Sequence, residues 1–310
     1  MGAGNSSRIR PLTPTLSPGG GKGVGARLDP RLHACRPNLA ASRLRGLVAA
    51  PRYAVGTEAR IVVGRAPLRR APSHQAALDT FCHYGERLLI FDEADGFVWC
   101  QSQFDRYVGY VEAAHVAIGP APVPTHFIAT PGSYAYESPD LRSPPRDFLP
   151  RHAAVTVAET GLVTRGTEYA RLDTGHHLPF ACLSPEPPRS PDIAAAAALY
   201  LGCPYLWGGR SFLGIDCSGL VQNAFLDLGV PVLRDTDMQR DTIGTRVPAA
   251  AEADLRRNDL LYMPGHVLIH EGDGSVIHAD GASMTVRREP LAAFMRPRGL
   301  AVSGFVVRRP

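Results

Sequence analysis

The sequence predicts an α+β protein in which a helix beginning at a cysteine packs on an antiparallel sheet, with two small all-β units before it. Asp216-Cys217-Ser218-Gly219 is followed by apolar residues at helical spacing, and Gly229 and Pro231 then stop the helix. Four short strand-like segments lie between 259 and 289, and further short segments fill much of 54–183. Helices and strands thus segregate along the chain, which is typical of α+β domains.

Cys217 lies at the first turn of the predicted helix. The unpaired N–H groups and the positive end of the helix dipole at that position favour a thiolate. The apolar residues that follow share one face of the helix; they are Leu220, Val221, Ala224, Phe225 and Leu228. We therefore take Cys217 as a candidate nucleophile.

Two histidines follow on the predicted strands. The strands cover Asp259–Met263, His266–Glu271, Val276–Gly281 and Met284–Glu289. If Gly272-Asp273-Gly274 forms a three-residue loop, Glu271 pairs with Ser275, and His278 lies diagonal to His266 on one face. A two-residue turn would place the two rings on opposite faces. The three-residue turn is thus required if His266 is the base and His278 orients it.

The preceding region is predicted to form two all-β units. The first has strands at Ala59–Val63, Arg87–Asp92, Phe97–Gln101 and Tyr107–Val111, and the second at Thr125–Ala129, Ala154–Glu159, Gly161–Arg165 and Glu168–Arg171. The expected organisation is a tail at 1–27, an N-terminal extension at 28–53, β domains at 54–120 and 121–183, a proline-stiffened linker at 184–191 and a C-terminal domain at 192–310. We expect the tail to be a non-functional product of a start site placed too far upstream.

The charge distribution, the cysteine pattern and the lack of long apolar segments argue against several classes of function. The first 70 residues carry 13 basic and 2 acidic side chains, and the rest carry 20 basic and 27 acidic. A mildly acidic body does not suit nucleic acid, which needs clustered cations. The six cysteines form no CxxC pair, and neither a 20-residue apolar run nor a signal-peptide segment is found. We expect free thiols, no membrane partner and a cytoplasmic location.

Four motifs in order resemble the NlpC-type papain-like cysteine peptidases of bacterial cell walls. They are Pro204-Tyr205-Leu206-Trp207-Gly208-Gly209, Asp216-Cys217-Ser218-Gly219-Leu220-Val221-Gln222, Gly265-His266-Val267 and Ile277-His278-Ala279. The N-terminal units resemble bacterial SH3-like barrels. The resemblance implies a papain-like core and hydrolysis of the bond after γ-linked D-glutamate in short murein peptides, which releases a diamino acid. It implies no metal or other cofactor.

The resemblance also implies substrate contacts. Asp216 would hold the ammonium of a free N-terminal L-alanine, although its side chain could instead cap the helix. Ser218 and Thr236 would bind the D-glutamate carboxylate, in a pocket shaped by Asp235. The remaining candidates are Tyr205, beside the thiol or oxyanion, and Glu86 and Tyr110, which would reach the substrate from the first SH3-like domain.

Three alternatives stay open. A papain-like acyltransferase or amidase would act on another acyl bond, and a wall-binding protein would keep the fold without activity. A zinc hydrolase would use Cys217, His266, His270 and His278, but these histidines do not form a helical HExxH motif.

Overall fold

The computed structural model of the protein describes residues 28–249 and 251–310. Our expectation for the 1–27 tail lies outside these residues. No helix in the described ranges is both long and apolar enough to cross a membrane.

The N-terminal extension forms a three-stranded sheet that covers one side of the first β domain. Its strands are β1 (Cys35–Arg36), β2 (Leu39–Ala41) and β3 (Tyr53–Ala54). Leu39 and Leu44 of this extension pack against Phe91 and Trp99 of the following domain. The extension is therefore held by a hydrophobic contact, not only by the backbone connection.

The first β domain is a seven-stranded sheet in the order β10-β4-β7-β8-β9-β5-β6. Neighbouring strands are antiparallel. Its strands are β4 (Thr57–Ile61), β5 (Arg65–Arg69), β6 (Leu78–His83), β7 (Arg87–Ala94), β8 (Phe97–Ser102), β9 (Val108–Glu112) and β10 (Val116–Ile118). Met238, from the C-terminal domain, packs into the core of this sheet. The two domains thus share part of their hydrophobic interior.

The second β domain has two antiparallel sheets, ordered β14-β11-β18 and β13-β12-β17-β16-β15. Its strands are β11 (His126–Ile128), β12 (Gly132–Tyr136), β13 (Pro145–Pro150), β14 (Ala154–Val155), β15 (Val157–Thr164), β16 (Thr167–Leu172), β17 (His177–Pro179) and β18 (Leu183–Ser184). Ile128, Leu149, Leu172 and Leu178 meet in one core. The predicted domain limits, and the description of this unit as an SH3-like barrel, stay predictions.

The C-terminal domain places two helices on one face of a six-stranded sheet. The helices are α1 (Ile193–Ala198), α2 (Cys217–Leu226), α3 (Thr236–Thr242) and α4 (Leu291–Met295). After the small hairpin β19 (Arg210–Ser211) and β20 (Gly214–Ile215), the main strands are β21 (Thr245–Val247), β22 (Leu260–Met263), β23 (His266–His270), β24 (Ser275–Asp280), β25 (Thr285–Pro290) and β26 (Val306–Arg309). Apolar residues of α1 and α2 pack against Val267, Ile269 and Ile277, while α4 covers the opposite face.

The three-residue turn between β23 and β24 is confirmed. Ile269 pairs with Ile277 and His270 with Val276, and the N–H of Glu271 donates to the carbonyl of Ser275 at 2.9 Å. Extended along both strands, this register would set His266 opposite Asp280, as the turn length requires. The sheet therefore brings the two histidines to one face.

A buried carboxylate joins the second β domain, the linker and the C-terminal domain. Asp227 follows α2 and accepts hydrogen bonds from Arg151 at 2.9 Å and His152 at 2.6 Å, and also from the hydroxyl of Ser190. Burial by itself would raise the pKa of Asp227, but these hydrogen bonds outweigh it and lower the pKa to about 2. Three segments distant in sequence thus meet at one side chain.

Candidate active site

Cys217 is the first residue of α2, and its N-cap is Asp216. The thiol is 6% exposed, and its Sγ lies 3.9 Å from the carbonyl oxygen of Gly265, the residue before His266. The start of the helix and the start of β23 therefore lie side by side. A side chain at the start of β23 is therefore well placed to act as a base toward this thiol.

The carboxylate of Asp216 is fully engaged by the protein. Its two oxygens accept from Arg234 at 2.6 and 2.9 Å and from the N–H groups of Gly208 and Gly219 at 2.8 Å each, and the Ser218 hydroxyl lies 3.3 Å away. A carboxylate offers about four acceptor sites. Asp216 thus caps the helix and pairs with buried Arg234, and its contact with a substrate ammonium stays a prediction.

Ser218 belongs to the same buried network. Its hydroxyl accepts from Arg234 at 2.7 Å and faces Asp216. Burial alone would lower the pKa of Arg234, but the Asp216 carboxylate outweighs it and raises the pKa. The Ser218 hydroxyl thus points into the network of Asp216 and Arg234. Its contact with a D-glutamate carboxylate stays a prediction.

The two histidines form a hydrogen-bonded pair. Nε2 of His266 lies 2.9 Å from Nδ1 of His278, and Nε2 of His278 lies 2.9 Å from a carboxylate oxygen of Glu289. Phe294 of α4 stacks on His266, with ring centroids 5.9 Å apart. His270 lies at the far end of β23, where its Nδ1 is 3.2 Å from the N–H of Gly272. The structure thus joins His266 to His278 and not to His270.

The thiol and the imidazole are both neutral in this environment. Burial, and then the Asp216 carboxylate, raise the pKa of Cys217 to about 12, although the N–H groups of Val267 and Ser218 act in the opposite direction. Burial and the neighbouring His278 lower the pKa of His266 to about 4. The thiolate expected from the helix dipole is therefore corrected, because desolvation outweighs the dipole.

Tyr205 lies beside the thiol. Its ring packs over the backbone of Gly281, where a Cβ would be 3.7 Å from the ring. Burial raises the pKa of Tyr205 to about 12, with smaller contributions from Cys217 and Asp216. The hydroxyl keeps its proton at neutral pH and is a potential hydrogen-bond donor near the nucleophile.

Asp235 lies where the first β domain meets the C-terminal domain. Its carboxylate accepts from the Tyr107 hydroxyl at 3.0 Å and from Arg31 at 2.8 Å. Burial raises the pKa of Asp235, although Arg234 opposes the shift. Thr236 is the first residue of α3, directly after this carboxylate. Asp235 therefore lies next to Tyr107, a tyrosine that was not predicted, and its role in a substrate pocket stays a prediction.

Glu86 and Tyr110 both contact arginines of the protein, and their contact with the substrate stays a prediction. Glu86 forms an ion pair with buried Arg210 at 3.0 Å. The hydroxyl of Tyr110 accepts from Arg36 at 3.0 Å, within the contact between β9 and the N-terminal extension. Tyr107 precedes β9 and points to Asp235 instead. Tyr107, and not Tyr110, is therefore the tyrosine of this segment that contacts the C-terminal domain through Asp235.

Four other residues with a place in the site were not singled out from the sequence. Arg234 directly precedes the predicted residues Asp235 and Thr236, so its charge was a usable signal. Tyr107 begins the predicted strand that contains Tyr110. Arg31 and Glu289 reach the site only through tertiary contacts that no local pattern reveals.

Two regions of the chain match known protein families. Residues 68–116 match the bacterial dipeptidyl-peptidase SH3 domain, and residues 202–302 match the NlpC/P60 family. Dipeptidyl-peptidase 6 of Lysinibacillus sphaericus is 39% identical over 88 residues, which are 28% of this chain and 31% of that protein. The gamma-D-glutamyl-L-lysine dipeptidyl-peptidase of Bacillus subtilis is 35% identical over 96 residues, again 28% of this chain and 31% of that protein.

These alignments span about a third of each relative. A crystal structure of an NlpC/P60 family protein from Bacillus cereus aligns over 82% of this chain and 99% of its own, with a TM-score of 0.66 and 18% identity. At that identity the likeness concerns the fold alone. Residues 202–302 therefore form an NlpC/P60 family domain, and a bacterial SH3 domain precedes it.

Proposed function

We propose that the protein is a cysteine peptidase that hydrolyses the bond between γ-D-glutamate and a diamino acid in short murein peptides with a free N-terminal L-alanine. The observation that carries the proposal is the hydrogen bond of 2.9 Å between His266 and His278, next to a cysteine at a helix N-terminus. The name of the Bacillus subtilis relative, gamma-D-glutamyl-L-lysine dipeptidyl-peptidase, supports the substrate class.

The reaction begins with a neutral pair. His266 takes the proton of the Cys217 thiol as sulfur attacks the carbonyl carbon of the γ-amide. The carbon–nitrogen bond then breaks, and the imidazolium returns the proton to the leaving amine. Water, deprotonated by His266, hydrolyses the thioester and releases L-alanyl-D-glutamate. His278 holds the ring of His266 and stabilises its charged form.

The oxyanion that forms during attack needs hydrogen-bond donors. The backbone N–H of Cys217 at the start of α2 is one candidate, because the first N–H groups of a helix have no partner within the helix. The Tyr205 hydroxyl is a second candidate, since it remains protonated beside the thiol. Both groups are held in place before the substrate arrives, which lowers the cost of reorganisation.

The free amine would bind at the boundary between the SH3 domain and the peptidase domain. Asp235 supplies a carboxylate there, and the Tyr107 hydroxyl orients it. Asp79 is near enough for its charge to raise the pKa of Tyr107, after the larger effects of burial and Asp235. Arg31 pairs with Asp29 and Asp237 as well as with Asp235, so an incoming ammonium can take the place of Arg31 on Asp235 while Arg31 keeps its other two partners.

A peptide that carries an acyl group or sugar on this amine would lose the ion pair and meet the wall of the SH3 domain. The proposal therefore favours recycled fragments over intact wall. A cytoplasmic location is also part of the proposal.

The test is product analysis with purified protein and L-Ala-γ-D-Glu-meso-diaminopimelate. The proposal expects free diaminopimelate and L-Ala-D-Glu in equal amounts, and no product from the Cys217→Ala variant. Acyl transfer to added amines without hydrolysis would instead support the acyltransferase alternative. Binding without turnover would support an inactive wall-binding protein.

A further inference from the structure

We propose that Glu289 is a positioning residue which fixes the proton positions on His278 and, through it, on His266. The expected effect on catalysis rests on the proposed function, whereas the assignment of the proton positions does not. It extends the site by one member beyond Cys217, His266 and His278.

The sheet register places Glu289 where it can do this. His278 of β24 pairs with Arg287 of β25, and Glu289 lies two residues farther along on the same face. Its carboxylate reaches Nε2 of His278 at 2.9 Å, and this side chain of His278 is fully buried. Pro290 and the start of α4 follow immediately, so the backbone at Glu289 is fixed on both sides.

The proton positions follow from the donor and acceptor chemistry. An ionised carboxylate only accepts hydrogen bonds, so Nε2 of His278 must carry a proton. A neutral imidazole has one N–H, which leaves Nδ1 of His278 as an acceptor. The proton between the rings is then on Nε2 of His266. Nδ1 of His266 is consequently unprotonated, which is the form that can accept the thiol proton.

Without the carboxylate, the same two rings can hydrogen-bond in the opposite sense. Nδ1 of His278 would then donate to Nε2 of His266, and the remaining proton of His266 would be on Nδ1. That tautomer cannot act as a base toward Cys217. Both senses satisfy the 2.9 Å contact between the rings, so only the group on the far side of His278 selects one.

The surroundings lower the pKa of both rings and hold the carboxylate in place. Burial lowers the pKa of His278, and although Glu289 and Asp280 oppose this shift, they do not reverse it. Arg287 lies 3.5 Å from the second oxygen of Glu289 and 3.8 Å from Asp280. Arg298 acts on His266 in the same direction as burial. Phe294 packs against both rings and limits the access of water.

The first test reads the tautomers directly. Nitrogen-15 NMR of histidine-labelled full-length protein at neutral pH should show both His266 and His278 protonated on Nε2. This readout does not need turnover, so it separates failure of the inference from failure of the proposed function. A wild-type spectrum with His278 protonated on Nδ1 would overturn the inference, whatever the variants do.

The second test compares variants. We expect Glu289→Leu to move the His278 proton to Nδ1 and to lower kcat about 10- to 100-fold, the range seen when a group that orients a histidine is lost, with KM little changed. Glu289→Gln keeps the size and still offers an acceptor, so it should fold and retain more activity than the leucine variant. Its amide can also donate, so both tautomers should be detected.

The matched control is Glu271→Gln. Glu271 lies just beyond β23 and pairs with Arg288 at 2.6 Å, without a hydrogen bond to either catalytic histidine among the described residues. It should leave kcat and the histidine spectra unchanged. Unchanged kcat and tautomers in folded Glu289→Leu would overturn the inference; if that variant does not fold, an unchanged single tautomer in Glu289→Gln would do the same.

Discussion

The Tyr107 hydroxyl donates a hydrogen bond of 3.0 Å to the carboxylate of Asp235, and this contact joins the SH3 domain to the peptidase domain. The two residues lie 128 positions apart in the chain. Tyr107 is 3% exposed, so its ring is fixed by the SH3 core and its hydroxyl has one direction available. Recognition of the substrate amine is therefore expected to depend on both domains.

Replacing Asp235 tests this relationship. Asp235→Asn removes the negative charge that would pair with the ammonium of the peptide, while the shape is kept. We expect kcat/KM for the unblocked tripeptide to fall about 100-fold, which corresponds to about 2.7 kcal/mol and lies in the range for a hydrogen-bonded charge. The value for an N-acetylated peptide should change little.

Tyr110→Phe is the matched control for the SH3 side of the pocket. Tyr110 contacts Arg36 and not the peptidase domain, so this variant should keep the wild-type preference for a free amine. Tyr107→Phe should lose part of it. The reverse result, with Tyr110 important and Tyr107 not, would restore the original sequence prediction and contradict the site described above.

The ion pair between Asp216 and Arg234 should be essential for stability. Both side chains are buried, and Arg234→Met would leave the Asp216 charge without its partner. Breaking a buried pair in this way costs about 3–5 kcal/mol. Urea unfolding of the variant should show a loss of this size.

The exposed pair between Arg288 and Glu271 provides the comparison. The Arg288 side chain is 50% exposed, so Arg288→Met should cost no more than about 1 kcal/mol. Equal effects of the two substitutions would mean that the Asp216 network does not hold the start of α2.

The reactivity of Cys217 should rise with pH without an acidic plateau. Its pKa is raised to about 12 and that of His266 is lowered to about 4, so the pair is neutral between these values. Alkylation by iodoacetamide, measured by mass spectrometry between pH 5 and 10, should increase steadily toward alkaline pH. A high, constant rate from pH 5 to 8 would show a preformed thiolate–imidazolium pair instead.

The acid stability of the domain junction should depend on Asp227. The pKa is lowered in the folded protein, from an ordinary value of 3.8 to about 2, so ionisation of Asp227 stabilises the fold above about pH 4. That contribution is lost as the pH falls through about 2. Asp227→Asn should be less stable than wild type at pH 7, and the difference should shrink toward pH 2. A difference that does not depend on pH would exclude this role for the carboxylate.

Much of the C-terminal domain could be predicted because local patterns agree there with tertiary contacts. The start of α2 at Cys217 and the turn at Gly272-Asp273-Gly274 depend on short signals of capping and turn formation. Burial of Ile269 and Ile277 against the helices then fixes the register. The pairing of Ile269 with Ile277 therefore also sets the face of the sheet on which His266 and His278 lie.

The missed elements lacked such signals. Strand β5 was not predicted because it contains Pro67, which lowers strand propensity. Gly161 led to the prediction of two strands where the structure has one continuous strand, β15. The protein partners of two predicted site residues could not be predicted for a different reason. Glu86 and Tyr110 were chosen by resemblance, whereas their partners Arg210 and Arg36 lie far away in sequence and are identified only by the fold.

The most direct test of amine recognition and activity together is the ratio of kcat/KM for L-Ala-γ-D-Glu-meso-diaminopimelate to that for its N-acetylated copy, with released diaminopimelate measured by mass spectrometry. We expect a ratio of about 100 or more, and no release from either peptide by Cys217→Ala. Equal cleavage of the two peptides would contradict recognition of the amine at Asp235, and no cleavage of either would contradict the proposed activity itself.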